Sequence, residues 1–154
     1  MKIKYGLIFL FPLLVCSCVL TEQDLPPYVI SRPVCLTGSK PGYFTFAGIE
    51  FDFSNVSGKN ISGISLSFMV YDADTKKNPL IGSNTIKMSF EGLVKPQELK
   101  KFFISLDQYI YTAPDKAYLI DFFCITKIIY EDGSRWEDPG FLYYTGTYQQ
   151  GVTK

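Results

Sequence analysis

The chain contains no histidine. Histidine is the commonest general base and metal ligand near neutral pH. Ser-His-Asp and Cys-His nucleophiles, His-zinc sites and the facial triad are therefore excluded by composition. An excess of one charge is also missing, because 15 Lys+Arg stand against 15 Asp+Glu. A nucleic-acid binder shows a strongly basic face, so nucleic acid is not an expected partner. No apolar run reaches the roughly 20 residues that span a bilayer, and no segment of helical period stands out. What is abundant is the aromatic ring, at 16% of the chain with 13 Phe and 11 Tyr, a composition that favours strands over helices. A length of 154 residues suits a single domain.

The chain opens with two cations, Lys2 and Lys4, followed by an uncharged apolar stretch over residues 5–15 and then Cys16-Ser17-Cys18. A basic start, an apolar run of about ten residues and a small residue before the cut define a secretory signal. Val15-Cys16-Ser17-Cys18 resembles the bacterial lipoprotein lipobox, with an aliphatic residue at −3, a small one at −1 and the modified cysteine at +1. Cys16 fits less well, because Val15 would then stand at −1. The resemblance implies a signal peptide over 1–17, cleavage after Ser17 and lipidation of Cys18. Two or three acyl chains on one residue suffice for stable anchoring. Val19 is not the Asp-type retention residue of some bacteria, so the expected location is the cell envelope, at the outer rather than the inner membrane. The Pro-rich stretch through Pro26, Pro27, Pro33 and Pro41 reads as an extended tether over 18–42.

From residue 43 onward the dominant period is two. Ile49, Phe51 and Phe53 alternate with Glu50 and Asp52, and Ile64, Leu66, Phe68 and Val70 with Ser65, Ser67 and Met69. Further strands are predicted over 82–90 and 99–106, with a connection over 107–115 that carries about one helical turn. The longest strand, over 117–131, is apolar on both faces. Simple alternation puts Tyr118, Ile120, Phe122, Cys124, Ile128 and Tyr130 on one face, and Leu119, Phe123, Ile125 and Ile129 on the other. Asp132-Gly133 marks a hairpin that returns through Trp136, and residues 141–148 form a final edge strand. These segments predict an all-β fold, a single antiparallel β-sandwich over 43–148 with a tail over 149–154.

Three stretches carry a further likeness: Asn55-Val56-Ser57-Gly58-Lys59, Tyr71-Asp72-Ala73-Asp74, and the segment from Ile125 through Asp132-Gly133-Ser134 to Trp136. They resemble the turns of bacterial Ig-like or fibronectin-III-like envelope domains, over most of residues 44–137. The resemblance implies a sandwich that serves adhesion or assembly. It carries over architecture and no catalytic site.

Candidate site residues are few. Asp72, Asp74 and Asn78 have the alternate spacing of calcium ligands, but an EF-hand loop starting at Asp72 would need glycine where Lys77 stands and glutamate where Ser83 stands. No metal and no cofactor are expected. Glu131-Asp132 and Glu137-Asp138 bracket the hairpin, where solvated acidic turn residues are common. Trp136, Tyr143 and Tyr144 could form an aromatic surface for a sugar ring or a protein hot spot, or could pack on the end of the core. Cys35 and Cys124 could form a disulfide in an exported compartment, and equally Cys124 could be a buried free thiol. Asn55 and Asn60 begin N-glycosylation sequons, which have no meaning in a bacterial cell.

The expected function is therefore that of a non-enzymatic, lipid-anchored envelope protein. Its partners would be the membrane, through the lipid, and another envelope protein. The alternative is a carbohydrate- or small-ligand-binding module built around Trp136.

Overall fold

Residues 25–146 are described by a computed structural model. They form β1 (Tyr28–Ile30), β2 (Val34–Thr37), β3 (Ala47–Asn55), β4 (Ile61–Tyr71), β5 (Thr85–Val94), β6 (Leu99–Ser105), β7 (Leu119–Tyr130), β8 (Arg135–Glu137) and β9 (Tyr144–Thr145). A single 3-10 turn, Asp107–Tyr109, lies between β6 and β7. In one sheet β3 pairs with β6 on one side and with both β1 and β2 on the other. In the second sheet the order is β5-β4-β7, and both β8 and β9 pair with the far side of β7. All pairings are antiparallel.

Each sheet thus has one edge made of two short pieces. The breaks hold Pro33 and Pro139, residues with no N–H to give a ladder. Counting each broken edge once, one sheet holds the first, second and fifth strands and the other the fourth, third, sixth and seventh. In the Ig constant arrangement the fourth strand lies beside the fifth. Here it pairs with the third instead.

The core lies between the sheets. Phe51 and Phe53 of β3 and Ile104 of β6 meet Leu66 and Phe68 of β4 and Phe123 and Ile125 of β7, all essentially without solvent contact. Phe123 contacts Phe51 edge-on at 4.8 Å and stacks on Phe68 at 5.7 Å, geometries that favour aromatic pairs beyond their area burial.

Two sequence expectations are corrected. The first is the tether. Tyr28 faces Asn55 across the β1–β3 ladder and Cys35 faces Ile49 across β2–β3. Both side chains are buried in the core. The sandwich therefore begins at Tyr28 and not at residue 43, and residues 28–42 of the segment read as a tether belong to the domain. Proline content misled because Pro33 sits in the break between two edge pieces, where no ladder bond is required. Residues 1–17, Cys18, and the tail over 149–154 lie outside the described residues.

The second correction concerns the faces of β7. The core takes Ile120, Phe123, Ile125, Ile128 and Tyr130, whereas Phe122 and Ile129 are exposed. The β4–β7 register slips between Ser67 and Met69 and again between Ser65 and Leu66. Each slip places an extra residue on β7 and inverts the alternation beyond it. Phe122 sits at the first slip with φ of 48°.

Two polar side chains hold the turns. Asn55 is fully buried. Its amide donates to the carbonyls of Lys59 and Val94 at 2.9 and 3.0 Å, while its oxygen accepts from the Ser57 N–H and hydroxyl. The Asp107 carboxylate accepts N–H bonds from Thr45, Phe46 and Ala47 at 2.6, 2.9 and 3.3 Å, fixing the turn after β6 to the start of β3. Burial pushes its carboxyl pKa up, but those three donors outweigh burial and hold it below the ordinary value. A carboxyl with a depressed folded pKa stabilises the fold fully above its unfolded value, near 3.9. That stabilisation is lost as pH falls through the folded pKa.

Replacing Asp107 by Ala is expected to cost about 1–3 kcal/mol at pH 7, with the difference from wild type shrinking on acidification below about pH 4. Urea melts at pH 7 and pH 3 check both parts. Gly48→Ala is expected to lower the melting temperature, because a Cβ there would lie 2.8 Å from the Ile104 carbonyl and inside contact of the Phe44 ring.

Candidate functional site: an aromatic groove on the second sheet

The residues singled out in the sequence are not brought together. Trp136 is half-buried, edge-on to Tyr28 at 5.5 Å and 6.2 Å from Tyr143, and packs on the border of the core. Tyr143 and Tyr144 are consecutive and diverge: Tyr144 contacts Phe122 at 5.1 Å instead. The single aromatic surface expected from Trp136, Tyr143 and Tyr144 is therefore divided between two faces.

Cys35 and Cys124 are both buried free thiols. Cys35 belongs to the core between the sheets. Cys124 lies between Phe123 and Ile125, which both point into that core, so its own side chain takes the opposite face of β7. Its sulfur donates to the Ser67 carbonyl at 3.5 Å. A strand stands between the two sulfurs, and of the two alternatives left open by the sequence the buried free thiol is the one found. Burial pushes both thiols up to about 11, which keeps them protonated and unreactive.

The acidic residues are each engaged separately. One Asp72 oxygen accepts from the N–H groups of Asp74 and Thr75 and from the Thr75 hydroxyl, closing its own turn, while Asp74 pairs with Lys116 at 2.8 Å. Glu131 accepts from Asn60, Asp132 binds Lys59 and Ser134, and Glu137 pairs with Arg135 and Lys127. Bonds from Lys59 and Ser134 hold the Asp132 carboxyl far below the usual range.

Asp138 has a different role. It is buried, its N–H donates to the Thr126 carbonyl, and its carboxylate accepts the N–H groups of Leu142 and Tyr143 at 3.0 and 3.1 Å. These bonds fold Pro139-Gly140-Phe141 outward between β8 and β9. Phe141 is left with φ of 53°, its ring over the outer face of the second sheet.

A groove results. Phe141 and Gly140 form one wall together with Phe122 and Tyr144, Ser67 and Met69 of β4 form the floor, and Thr85 and Lys87 of β5 form the other wall, enclosing about 500 Å³. The groove continues past Phe141 toward Ser65, Ser89 and Thr126, adding about 340 Å³. Phe122, Phe141 and Tyr144 remain 46%, 44% and 56% exposed. A bulky residue with positive φ is a backbone outlier, with a cost of order 1–3 kcal/mol each. Among the described residues, both aromatic ones line this groove. The volume and lining suit a binding pocket with few polar anchors.

Sequence reasoning missed Phe122, Phe141 and Lys87. Asp138-Pro139-Gly140 is a turn signal that could have flagged Phe141. Nothing in the sequence marks Phe122, whose placement depends on the slip in β7.

No protein-family model and no curated protein matches the chain. Among the described residues, no helix is long and apolar enough to cross a membrane.

Phe141→Gly is expected to be more stable than Phe141→Ala by about 1 kcal/mol, since only glycine tolerates that φ freely. Thermal melts of both variants test the strain. Neither thiol is expected to react with a thiol reagent in the native protein, and both should react after denaturation without reductant.

Proposed function

We propose that this chain is a lipid-anchored protein of the bacterial cell envelope, and that its fibronectin-III-like sandwich is a non-catalytic contact module for another envelope protein. The anchor rests on the resemblance of Val15-Cys16-Ser17-Cys18 to a lipobox. The contact role rests on one observation, the exposed Phe122, Phe141 and Tyr144 gathered on the outer face of the second sheet. Exposed aromatic side chains held on a rigid scaffold are the anchors of protein interfaces. This site supports the protein-contact reading over a sugar platform at Trp136, whose ring packs edge-on against Tyr28.

Lipid at Cys18 would also orient the domain. From Cys18 to Tyr28 is about ten residues, at most about 35 Å when extended. Tyr28 pairs with Asn55 at the end of the sandwich that carries the β3–β4 and β7–β8 turns. That end would face the membrane, with the groove on the flank. The outer membrane is the proposed site, facing the periplasm or the cell surface.

Intact mass of the protein from the membrane fraction of its own host tests the anchor. The expected species starts at Cys18 and carries acyl mass, and Cys18→Ala loses both the acyl mass and the membrane association. A photo-crosslinking residue in place of Phe141 should then join a defined envelope protein that the same residue in place of Val29, on the opposite sheet, does not reach. An unacylated, freely soluble species would overturn the anchor, and equal products from both positions would overturn the contact site.

A further inference from the structure

The groove is a trough with a direction and an unequal floor. It runs along β4 from Met69 to Ser65, about 13 Å at the usual strand rise. At the Met69 end its walls are the rings of Phe122 and Tyr144, with Phe141 beside them. At the Ser65 end its lining is hydroxylic. Ser65 and Ser89 bond to each other at 2.8 Å, while the hydroxyls of Ser67 and Thr126 have no protein partner among the described residues. Between the two ends stands Lys87, which borders both parts. Lys87 makes no ion pair among the described residues, whereas Lys127 of β7, opposite Ser65 across the β4–β7 ladder, pairs with Glu137 at 3.6 Å.

The pattern constrains the occupant. An alkyl chain lying along the trough would cover the Ser67 and Thr126 hydroxyls without bonding them, and a buried unpaired hydroxyl is costly. An extended peptide can bond them through its own amides. The row holding Met69 and Thr85 and the row holding Ser67 and Lys87 lie two residues apart in the ladder. Side chains two apart on an extended segment point to the same face. A segment lying over β4 can therefore place one side chain at each row.

We propose that the trough seats an extended segment of a partner protein. A large apolar side chain enters between Met69 and the aromatic wall, and an Asp or Glu two residues away pairs with Lys87. The order of the two residues depends on the direction of the segment. This occupant rests on the reading of the groove as the contact site and gives that site its specificity: the apolar residue supplies burial, and the carboxylate selects the partner through the free ammonium.

The test is selection of linear heptapeptides displayed on phage against the full chain purified in detergent, in parallel with Lys87→Glu and Phe141→Gly. Lys87 and Phe141 lie on the surface, and circular dichroism confirms that both variants fold. The expected result is enrichment of peptides with a large apolar residue and an acidic residue at spacing i, i+2. Lys87→Glu should enrich Lys or Arg at the acidic position. A synthetic peptide from the wild-type selection should weaken about tenfold or more on Lys87→Glu, as loss of a cross-interface charge pair implies, and should lose binding to Phe141→Gly. Absence of a shared pattern, an unchanged acidic preference with Lys87→Glu, or equal binding to Phe141→Gly would overturn the proposal. Where selection fails but crosslinking from position 141 still reaches an envelope protein, the contact site stands and the peptide occupant falls.

Discussion

A strand sends consecutive side chains to opposite faces, and in this sandwich everything depends on how β7 keeps that rule while changing phase twice. Without the slips, Ile120, Phe122, Cys124, Ile128 and Tyr130 would share the inner face. The structure instead turns Phe122 and Cys124 outward and brings Phe123 and Ile125 in. Phe123 then becomes the ring that joins the two sheets, in contact with Phe51 on one side and Phe68 on the other. The same change leaves Phe122 outside with a left-handed backbone, available to form the groove. Core and candidate site are two outcomes of one irregularity.

The broken edges follow a related logic. An edge strand offers unpaired backbone groups to any passing strand, and short or interrupted edges reduce that hazard. β1 with β2, and β8 with β9, meet this condition through a proline in each break. In the first break the Ser31 hydroxyl accepts the Asp52 N–H, and the Ser31 N–H donates to the Asp52 carbonyl. In the second, Asp138 satisfies the N–H groups of Leu142 and Tyr143. Arg32, from the first break, donates to the Gly146 carbonyl just after β9 at 2.6 Å, so the two interrupted edges are tied to each other. β5 lacks such an interruption. It pairs only with β4 and carries Lys87, the kind of charged residue that protects an edge from casual pairing.

Much of the fold was legible in the sequence, because its main signals are local. Alternation in β3 and β4, the Asp132-Gly133 hairpin and the helical turn after β6 all lie within a few residues of their causes. The failures are non-local. Whether a Pro-rich stretch is a tether or an edge depends on an acceptor strand, here β3, that composition does not identify. The face taken by Cys124 depends on a slip fixed by pairing with β4, so the sequence left the disulfide and the buried free thiol as equal alternatives, and the free thiol is what the fold holds. The candidate site was legible in kind and not in place. Aromatic excess near the C-terminus pointed to a ring-lined surface, but Trp136 went to the core border with Tyr143 beside it, while Phe122 and Phe141, distant in sequence, took the surface.

The position of that surface matters for the mechanism of contact. Binding sites on sandwiches of this class often lie on the loops at the ends of the sheets, where the chain is mobile and adapts to its partner. Here the rings stand on the flat of a sheet whose other face is the core. Phe122 belongs to the central strand itself, and Phe141 is held by a buried carboxylate that accepts two backbone N–H groups. Neither wall can move without breaking sheet pairing or leaving Asp138 unpaired, at a cost of 1–3 kcal/mol or more for the buried charge. The groove is thus organised before any partner arrives, so association pays little ordering entropy on this side of the interface. The backbone strain at both phenylalanines is met during folding, by the packing of Phe123 beside one and the bonds of Asp138 beside the other, and is already in place when contact is made.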